Sequence, residues 1–285
     1  MRKAVGKKKP WSKTGRTSGD VMLPPGRRLV VAVAALAILT GAQQATPVPA
    51  TIDAGMVGPP FSNARVELFL PEGSGPFPAM VVLHGCSGVV QHDRIWAQQL
   101  VAWGYVAVLV DSFRPRGVDN VCNHGMVVPP LLQARDAFAA AQYVRALPTV
   151  RADRIGVIGF SHGGWAVLKA VLDDAVRADH ARPFAAAVAF YPGCDPPDSP
   201  LVTDTLILIG DADDWTPVGR CARWRDTVAA AGHELRMIVY PGALHAFDAQ
   251  TPPHAYAGHM IGRNPEAAAA AVAETRAFLA KRLSP

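Results

Sequence analysis

One serine lies in the part of the sequence best suited to nucleophilic chemistry. Ser161 is found in the segment GFSHGG, residues 159–164, which fits the pattern Gly-x-Ser-x-Gly. Glycines allow the chain to reverse from a strand into a helix within a few residues, because larger side chains would clash there. The start of the helix also favours the negative charge that develops during attack. The flanking residues have the patterns of a buried strand and a helix, so we predict that Ser161 is a nucleophile.

A serine nucleophile needs a histidine base, and on this type of turn the base comes last along the chain. His245 directly follows the last predicted strand, so it should lie at the edge of the sheet where Ser161 also emerges. We therefore predict that His245 is the base. His254 and His259 come later, in a loop, and we expect each of them at the surface. The side chain of His162 should point away from its neighbour Ser161.

Three aspartates compete for the acid that orients the base. Asp211, Asp213 and Asp214 follow the strand predicted at residues 205–210. Asp213 is the predicted acid, and Asp214 is the alternative. Three close carboxylates could also bind a cation, but no histidine or cysteine with ligand spacing accompanies them. We favour a solvated turn with one functional aspartate, and we predict no metal and no cofactor.

The tetrahedral intermediate of acyl transfer requires two N–H donors for its oxyanion. One predicted donor is the backbone N–H of His162, directly after the nucleophile. The other is the backbone N–H of Cys86, in the loop HGCSG at residues 84–88. In a rival interpretation Cys86 is itself the nucleophile, but it lacks the glycine turn and we expect it in a disulfide.

The four cysteines, Cys86, Cys122, Cys194 and Cys221, form an even set that could pair in an oxidising compartment. Four cysteines allow three connectivities, and sequence alone does not choose among them. Our hypothesis pairs Cys86 with Cys122 and Cys194 with Cys221.

The predicted elements alternate between strands and helices. Short apolar runs predict strands at residues 65–70, 79–84, 106–111, 155–159, 186–191, 205–210 and 235–240. Helices are predicted at residues 131–147, 163–172 and 218–231, and a last one begins at Asn264 and Pro265 and ends with Lys281 and Arg282. This alternation is typical of an α/β fold with a doubly wound, mostly parallel sheet and helices on both faces. We predict a single domain over residues 63–285, preceded by a linker at residues 46–62 rich in proline and alanine.

Basic residues are concentrated at the start of the chain. Residues 1–28 carry nine of the 28 lysines and arginines and one acidic side chain, which leaves 19 basic and 22 acidic residues in the remainder. The remainder therefore lacks the positive face expected of a nucleic-acid-binding protein. Arg27 and Arg28, followed by an apolar run at residues 29–39, have the pattern of a secretion signal. We predict a leader at residues 1–45, with Met22 as an alternative start, contact with a membrane only through this leader, and export to the periplasm or medium.

The motifs together resemble those of the dienelactone hydrolase family of α/β-hydrolases. The resemblance covers residues 66–283 and rests on residues 84–88, 111–113, 135–137, 159–164, 191–193, 210–217, 240–242 and 245–247. It implies the α/β-hydrolase fold and places the family's aspartate at Asp213. Founding enzymes of the family use a cysteine nucleophile, whereas this chain has Ser161, which favours a general hydrolase of small esters. The family's lactone hydrolases hold a substrate carboxylate with an arginine after the fourth strand, a region that contains Arg114 and Arg116.

Together these features predict a serine hydrolase of small esters or lactones, with Arg114 or Arg116 as a hypothetical carboxylate-binding residue. Alternatively, these two arginines are loop residues in solvent or in salt bridges. The alternatives for the whole protein are a peptidase or acyltransferase on the same fold, or an exported binding protein without catalysis. Oligomeric state is not predicted.

Overall fold

The fold is given by a computed structural model that describes residues 48–51, 64–197 and 199–284. The predicted leader, residues 1–45 with the alternative start at Met22, lies outside the described residues, as does most of the predicted linker, residues 46–62. Among the described residues, no helix combines the length and the hydropathy that a membrane span requires.

One mixed sheet forms the centre of the described structure. Its strands are β1 (Val48–Thr51), β2 (Arg65–Phe69), β3 (Phe77–Leu83), β4 (Val106–Asp111), β5 (Val150–Phe160), β6 (Ala187–Phe190), β7 (Thr205–Gly210) and β8 (Leu235–Tyr240). They lie in the order β1-β2-β4-β3-β5-β6-β7-β8. The pairs β1–β2 and β2–β4 are antiparallel, and all pairs from β4 to β8 are parallel. A separate hairpin is formed by β9 (His254–Tyr256) and β10 (His259–Ile261).

Six helices connect the described strands. They are α1 (Gln91–Ala102), α2 (Pro130–Arg145), α3 (His162–Ala170), α4 (Asp173–Ala178), α5 (Val218–Thr227) and α6 (Pro265–Leu283). Neighbouring residues of β5 show that helices cover both faces, because successive side chains of a strand point to opposite sides. Phe160 packs on Trp96 of α1, with ring centroids 5.4 Å apart, whereas Gly159 faces Gly163 of α3. The predicted α/β fold with a mostly parallel sheet is confirmed.

Most of the central strands are buried along nearly their whole length. Every residue of β4, β6 and β7 is buried, as is all of β3 after Phe77. Strands covered on both faces have no solvent side, so they appear in the sequence as continuous apolar runs. This is why these strands were predictable from the sequence with nearly their observed bounds.

Two differences from the prediction have local causes. The predicted linker contains β1, which pairs with β2. An edge strand needs only backbone hydrogen bonds to an open edge, so no apolar pattern signals it. Helix α5 ends at Thr227 and not at Ala231, because the chain becomes extended at Val228 and the carbonyl of Ala229 accepts the N–H of Leu201.

Helix α1 was not predicted. Half of its residues are polar, and only Asp93, Trp96, Ala97 and Leu100 are buried. The backbone N–H of Val90 donates to the carboxylate of Asp93 at 2.8 Å, which caps the start of the helix. The last helix begins as predicted, with the Asn264 side chain accepting the N–H of Ala267.

Both disulfides of the hypothesis are present, Cys86–Cys122 and Cys194–Cys221. The first joins the loop after β3 to the segment before α2. The second joins the loop after β6 to α5. Both therefore hold loops at the same edge of the sheet, where the parallel strands end and ligand sites in such sheets are usually found.

Candidate active site

Ser161 lies at the turn between β5 and α3, in a backbone conformation that few residues adopt. Its φ is 54° and its ψ is −111°. Its N–H donates to the carbonyl of Phe190 at 2.9 Å, which ties the turn to β6. A Cβ added at Gly159 would overlap the carbonyl of Gly163, and one added at Gly163 would overlap the carbonyl of Leu83. The glycines are therefore required by close packing of the turn.

Three side chains from separate loops form one hydrogen-bonded chain. His245 Nε2 lies 2.9 Å from Ser161 Oγ, and His245 Nδ1 lies 2.8 Å from Asp213 Oδ2. His245 and Asp213 are both buried, whereas Ser161 is partly exposed. Such distances allow proton transfer from the serine to the histidine. The structure thus brings together the predicted nucleophile, base and acid, whose roles in catalysis stay predictions.

Asp213 is held in its charged form by several donors. The backbone N–H groups of Trp215 and Thr216 donate to Oδ1 at 2.9 and 2.8 Å, and the Thr216 hydroxyl donates to Oδ2 at 2.8 Å. Burial opposes ionisation, but the hydrogen bonds from His245 and Thr216 outweigh it and lower the pKa of Asp213. A charged carboxylate at this position can fix the imidazole tautomer and stabilise its protonated form.

Cys86 and His162 line the same cavity as Ser161. His162 is the first residue of α3, so its N–H has no acceptor within the helix. The N–H of Cys86 likewise has no acceptor in the described part of the chain. Both donors are therefore available to an oxyanion formed at the nucleophile. The disulfide of Cys86 removes the thiol that the rival cysteine mechanism would need.

The imidazole of His162 was expected to point away from Ser161, and its two ring nitrogens contact other residues. Its Nδ1 lies 2.8 Å from Gln133 Oε1, and its Nε2 lies 3.0 Å from the carbonyl oxygen of Gly125. Burial lowers the pKa of His162 to about 4, so its ring is neutral at pH 7. The ring anchors the start of α3 and adds no charge to the site.

Two cavities meet at Ser161. The first, the apolar cavity, has a volume of about 190 Å³, and its polar lining includes Ser87, His92 and Asp93. Most of its lining is aliphatic or aromatic, with His245 among these side chains: Val90, Phe160, Tyr191, Trp215, His245, Ala246, Ala249, Tyr256 and Ile261. The second, the polar cavity, measures about 240 Å³ and includes His162, Trp165, Asp195, Thr216 and Arg220. Cys86, Ser161 and Trp215 line both cavities. The nucleophile therefore has room for a substituent on either side.

The structure does not bring Arg114 or Arg116 to these cavities. Arg116 donates from Nη1 and Nη2 to the two carboxylate oxygens of Asp136, at 2.8 and 2.9 Å. It also donates to the carbonyl of Ser112 at 2.6 Å. Asp136 is fully buried and needs a cationic partner, which explains why Arg116 turns inward. Arg114 is exposed on a short 3₁₀ turn. Arg114 thus lies in solvent and Arg116 in a salt bridge, which is the alternative to substrate binding that we gave for these two loop arginines.

The remaining histidines and aspartates lie outside the hydrogen-bonded chain. His254 is exposed on β9, as expected, but His259 stacks on Trp215 with ring centroids 4.7 Å apart. Asp214 Oδ1 lies 3.4 Å from His259 Nδ1, and Asp211 Oδ1 accepts a hydrogen bond from the backbone N–H of Gly242. No group of metal-ligating side chains occurs among residues that the structure describes.

A second histidine–aspartate pair lies beside the site and was missed in the sequence. His92 Nε2 is 2.9 Å from Asp248 Oδ2, and the same carboxylate accepts from Trp96 Nε1 at 2.8 Å and from the Tyr191 hydroxyl at 2.7 Å. The Tyr191 ring packs on His245 with centroids 4.8 Å apart. The pair therefore supports the ring against which the predicted base rests.

Burial alone would lower the pKa of His92, but Asp248 and Asp93 outweigh burial and raise it to about 10. Burial opposes the charge on Asp248 as well, yet His92, Tyr191 and Trp96 together lower its pKa. Both groups are therefore charged at neutral pH. Asp248 follows His245 by three positions, which was the one sequence signal for this pair. Its partner lies 156 positions away.

Known proteins resemble the chain in sequence and in fold. The model of the dienelactone hydrolase family matches residues 65–283. A Methylorubrum extorquens protein assigned as a carboxymethylenebutenolidase is 29% identical over 218 residues, which are 70% of this chain and 74% of that protein.

Two solved structures share the fold at lower sequence identity. One is a dienelactone hydrolase-like promiscuous phosphotriesterase from metagenomic libraries, with a TM-score of 0.69 and 19% identity over 85% of this chain and 100% of the other. The other is an esterase of Thermogutta terrifontis with bound propionate, with a TM-score of 0.62 and 17% identity over 86% and 97% of the two chains.

Replacing Arg116 by alanine should lower the free energy of unfolding by about 3 kcal/mol, because it leaves the buried Asp136 carboxylate without its cation. Arg114→Ala, at an exposed position, should change it by less than about 0.5 kcal/mol. Denaturant unfolding of both variants measures the difference. A fully stable Arg116→Ala protein that loses activity only on anionic esters would instead assign this arginine to substrate binding.

The charged state of His92 should make stability fall with rising pH. The raised pKa of His92 stabilises the fold fully below about pH 6.5, the ordinary value, and this contribution is lost as the pH rises to about 10. We expect the free energy of unfolding to decline less between pH 6.5 and 10 in His92→Asn than in the wild type. His180→Asn, at an exposed histidine, is the control and should follow the wild type. Equal declines in all three proteins would contradict the prediction.

Proposed function

The chain belongs to the dienelactone hydrolase family, and from this premise we propose that it hydrolyses small carboxylic esters or lactones through an acyl-serine intermediate. The observation that carries the proposal is the continuous hydrogen-bonded chain from Ser161 through His245 to Asp213. Its place at the carboxyl ends of β5, β7 and β8 is where such sheets hold their ligands.

The first proposed step is attack of Ser161 Oγ on the carbonyl carbon of the ester. His245 Nε2, 2.9 Å away, takes the hydroxyl proton as the new C–O bond forms. Asp213 is charged and bonded to Nδ1, so it stabilises the imidazolium that results. The carbonyl oxygen becomes an oxyanion, which accepts from the N–H groups of Cys86 and His162.

Collapse of the tetrahedral intermediate breaks the bond to the alcohol oxygen. His245 donates its proton to that oxygen, and the alcohol leaves an acyl group on Ser161. Water then attacks the acyl carbon while His245 accepts its proton. As the bond from the acyl carbon to Ser161 Oγ breaks, His245 returns the proton to that oxygen, which yields the carboxylic acid, the free serine and a neutral imidazole. One water is consumed and no other reactant is needed.

We also propose that the protein is exported. The two disulfides lie in loops that carry the site, and such bonds persist mainly in oxidising compartments. They support a protein that works in the periplasm or medium, after a leader at residues 1–45 is removed.

Ser161→Ala should reduce hydrolysis of p-nitrophenyl esters, from acetate to octanoate, by about 10⁴-fold or more, because the acyl group then has no acceptor. Ser199→Ala, at a surface serine bonded to Asp174, is the matched control and should keep full activity. Brief incubation of the wild type with ester should leave an acyl group on the peptide that contains Ser161, detectable by mass spectrometry. Retained activity in Ser161→Ala would rule out this nucleophile, and no activity of folded wild type on any ester would rule out the hydrolase.

The two candidate acids can be separated directly. Asp213→Asn should lower kcat by about 10⁴-fold, because the amide cannot stabilise the imidazolium or hold its tautomer. Asp214→Asn removes a more exposed carboxylate that contacts His259 and not His245, so its kcat should change less than about threefold. The reverse ranking of the two variants would make Asp214 the acid.

A further inference from the structure

The two cavities at Ser161 differ in which catalytic groups they expose. His245 lines the apolar cavity and not the polar one. His162, whose N–H is a proposed oxyanion donor, lines the polar cavity and not the apolar one. A bound ester must therefore extend in two chemically distinct directions from the attacked carbonyl.

The position of His245 determines which part of the ester enters which cavity. The alcohol oxygen must receive a proton from His245 Nε2, so the alcohol has to lie on the side that this imidazole borders. That side is the apolar cavity, with Trp215, Tyr256 and Ile261 among its walls. The acyl chain then extends the other way, into the polar cavity.

One cation in the polar cavity has no partner within the part of the chain that the structure describes. Arg220, on the first turns of α5, is exposed, and its guanidinium makes no hydrogen bond or ion pair with any residue that the structure describes. The acidic residue of this cavity, Asp195, is already engaged. It accepts from Trp165 Nε1 at 2.9 Å and lies 3.6 Å from Lys169 Nζ.

The charges around the polar cavity therefore favour an anion. Lys169, which lies outside the cavity, offsets the charge of Asp195, and His162 is neutral, so the guanidinium of Arg220 is the charge in the cavity wall without a counter-ion among the described residues. An arginine close to the start of a helix also faces the positive end of the helix dipole, which an anionic ligand would offset. Guanidinium groups bind carboxylates through paired N–H donors.

We infer that the preferred substrates are esters of dicarboxylic acids, in which the free carboxylate at the far end of the acyl chain binds Arg220 while an apolar alcohol occupies the apolar cavity. This inference rests on the proposed function, because it assigns the acyl side from the predicted proton donor. Arg220 supplies a cation in the wall of the polar cavity, whereas Arg114 and Arg116 lie outside both cavities.

The test compares two series of p-nitrophenyl esters on the full chain. The anionic series consists of the hemiesters of succinate, glutarate and adipate, and the neutral series consists of butanoate, pentanoate and hexanoate. All share one alcohol, and spontaneous hydrolysis is subtracted. We expect kcat/KM to be higher for at least one anionic ester than for its neutral counterpart. Arg220→Ala should lower kcat/KM for that ester by about tenfold and Arg220→Glu by more, with neutral esters changed less than about twofold.

Arg223→Ala is the matched control, since Arg223 lies on the same helix and outside both cavities. It should leave both series unchanged. Equal effects of the Arg220 variants on both series, or no preference of the wild type for any anionic ester, would overturn the inference while Ser161→Ala still abolished hydrolysis of both. Hydrolysis that persists in Ser161→Ala would overturn the proposed function itself, and the two failures are thus distinct.

Discussion

Close packing at the turn from β5 to α3 is the constraint on which the rest of the site depends. Gly159 lies so close to the carbonyl of Gly163 that it has no room for a Cβ, and Gly163 has none because it lies against the carbonyl of Leu83 in β3. The turn thereby presses α3 onto the sheet and leaves Ser161 in a strained conformation with its hydroxyl at the sheet edge. The bond from its N–H to Phe190 of β6 distributes that strain over neighbouring buried strands, which hold it in place.

The base that faces this serine is supported on two sides by histidine–aspartate pairs, its own with Asp213 and that of His92 with Asp248. On one side Asp213 bonds to His245, and the Thr216 hydroxyl donates to Asp213 while its oxygen lies 3.1 Å from the carbonyl oxygen of Tyr191. On the other side the ring of Tyr191 packs on His245, and its hydroxyl donates to Asp248. Because buried carboxylates must keep all their partners, a change in either pair should shift the imidazole. Tyr191 thus connects two networks through its backbone and its side chain.

The two disulfides hold loops of the site in place, as the hydrogen-bonded carboxylates hold the imidazole. The loops themselves have few buried contacts. The Cys86–Cys122 bond anchors the residue whose N–H is a proposed oxyanion donor. The Cys194–Cys221 bond ties α5, which carries Arg220, to the loop that contains Asp195. A disulfide therefore fixes the backbone at each end of the polar cavity. This restricts the distance between the helix that carries Arg220, the proposed anion-binding residue, and Ser161. Preorganisation of this kind is what favours selection by the length of an acyl chain.

The sequence by itself determined those features that depend on local rules. Buried strands are apolar runs, a sharp strand-to-helix turn requires glycines, and the order of serine, aspartate and histidine follows from the order of the strands. Ser161, Asp213 and His245 could be proposed as a set on these grounds, as could the α/β fold, whereas the pairing of the cysteines was a hypothesis that no local rule decided. Tertiary structure alone decided contacts between distant segments. It paired His92 with Asp248, turned Arg116 inward to Asp136, and placed Arg220 in the wall of a cavity that Ser161 also lines, with no partner among the described residues. The physical reason is that a long polar side chain reaches several ångströms in many directions, so its partner depends on which segments the fold places beside it.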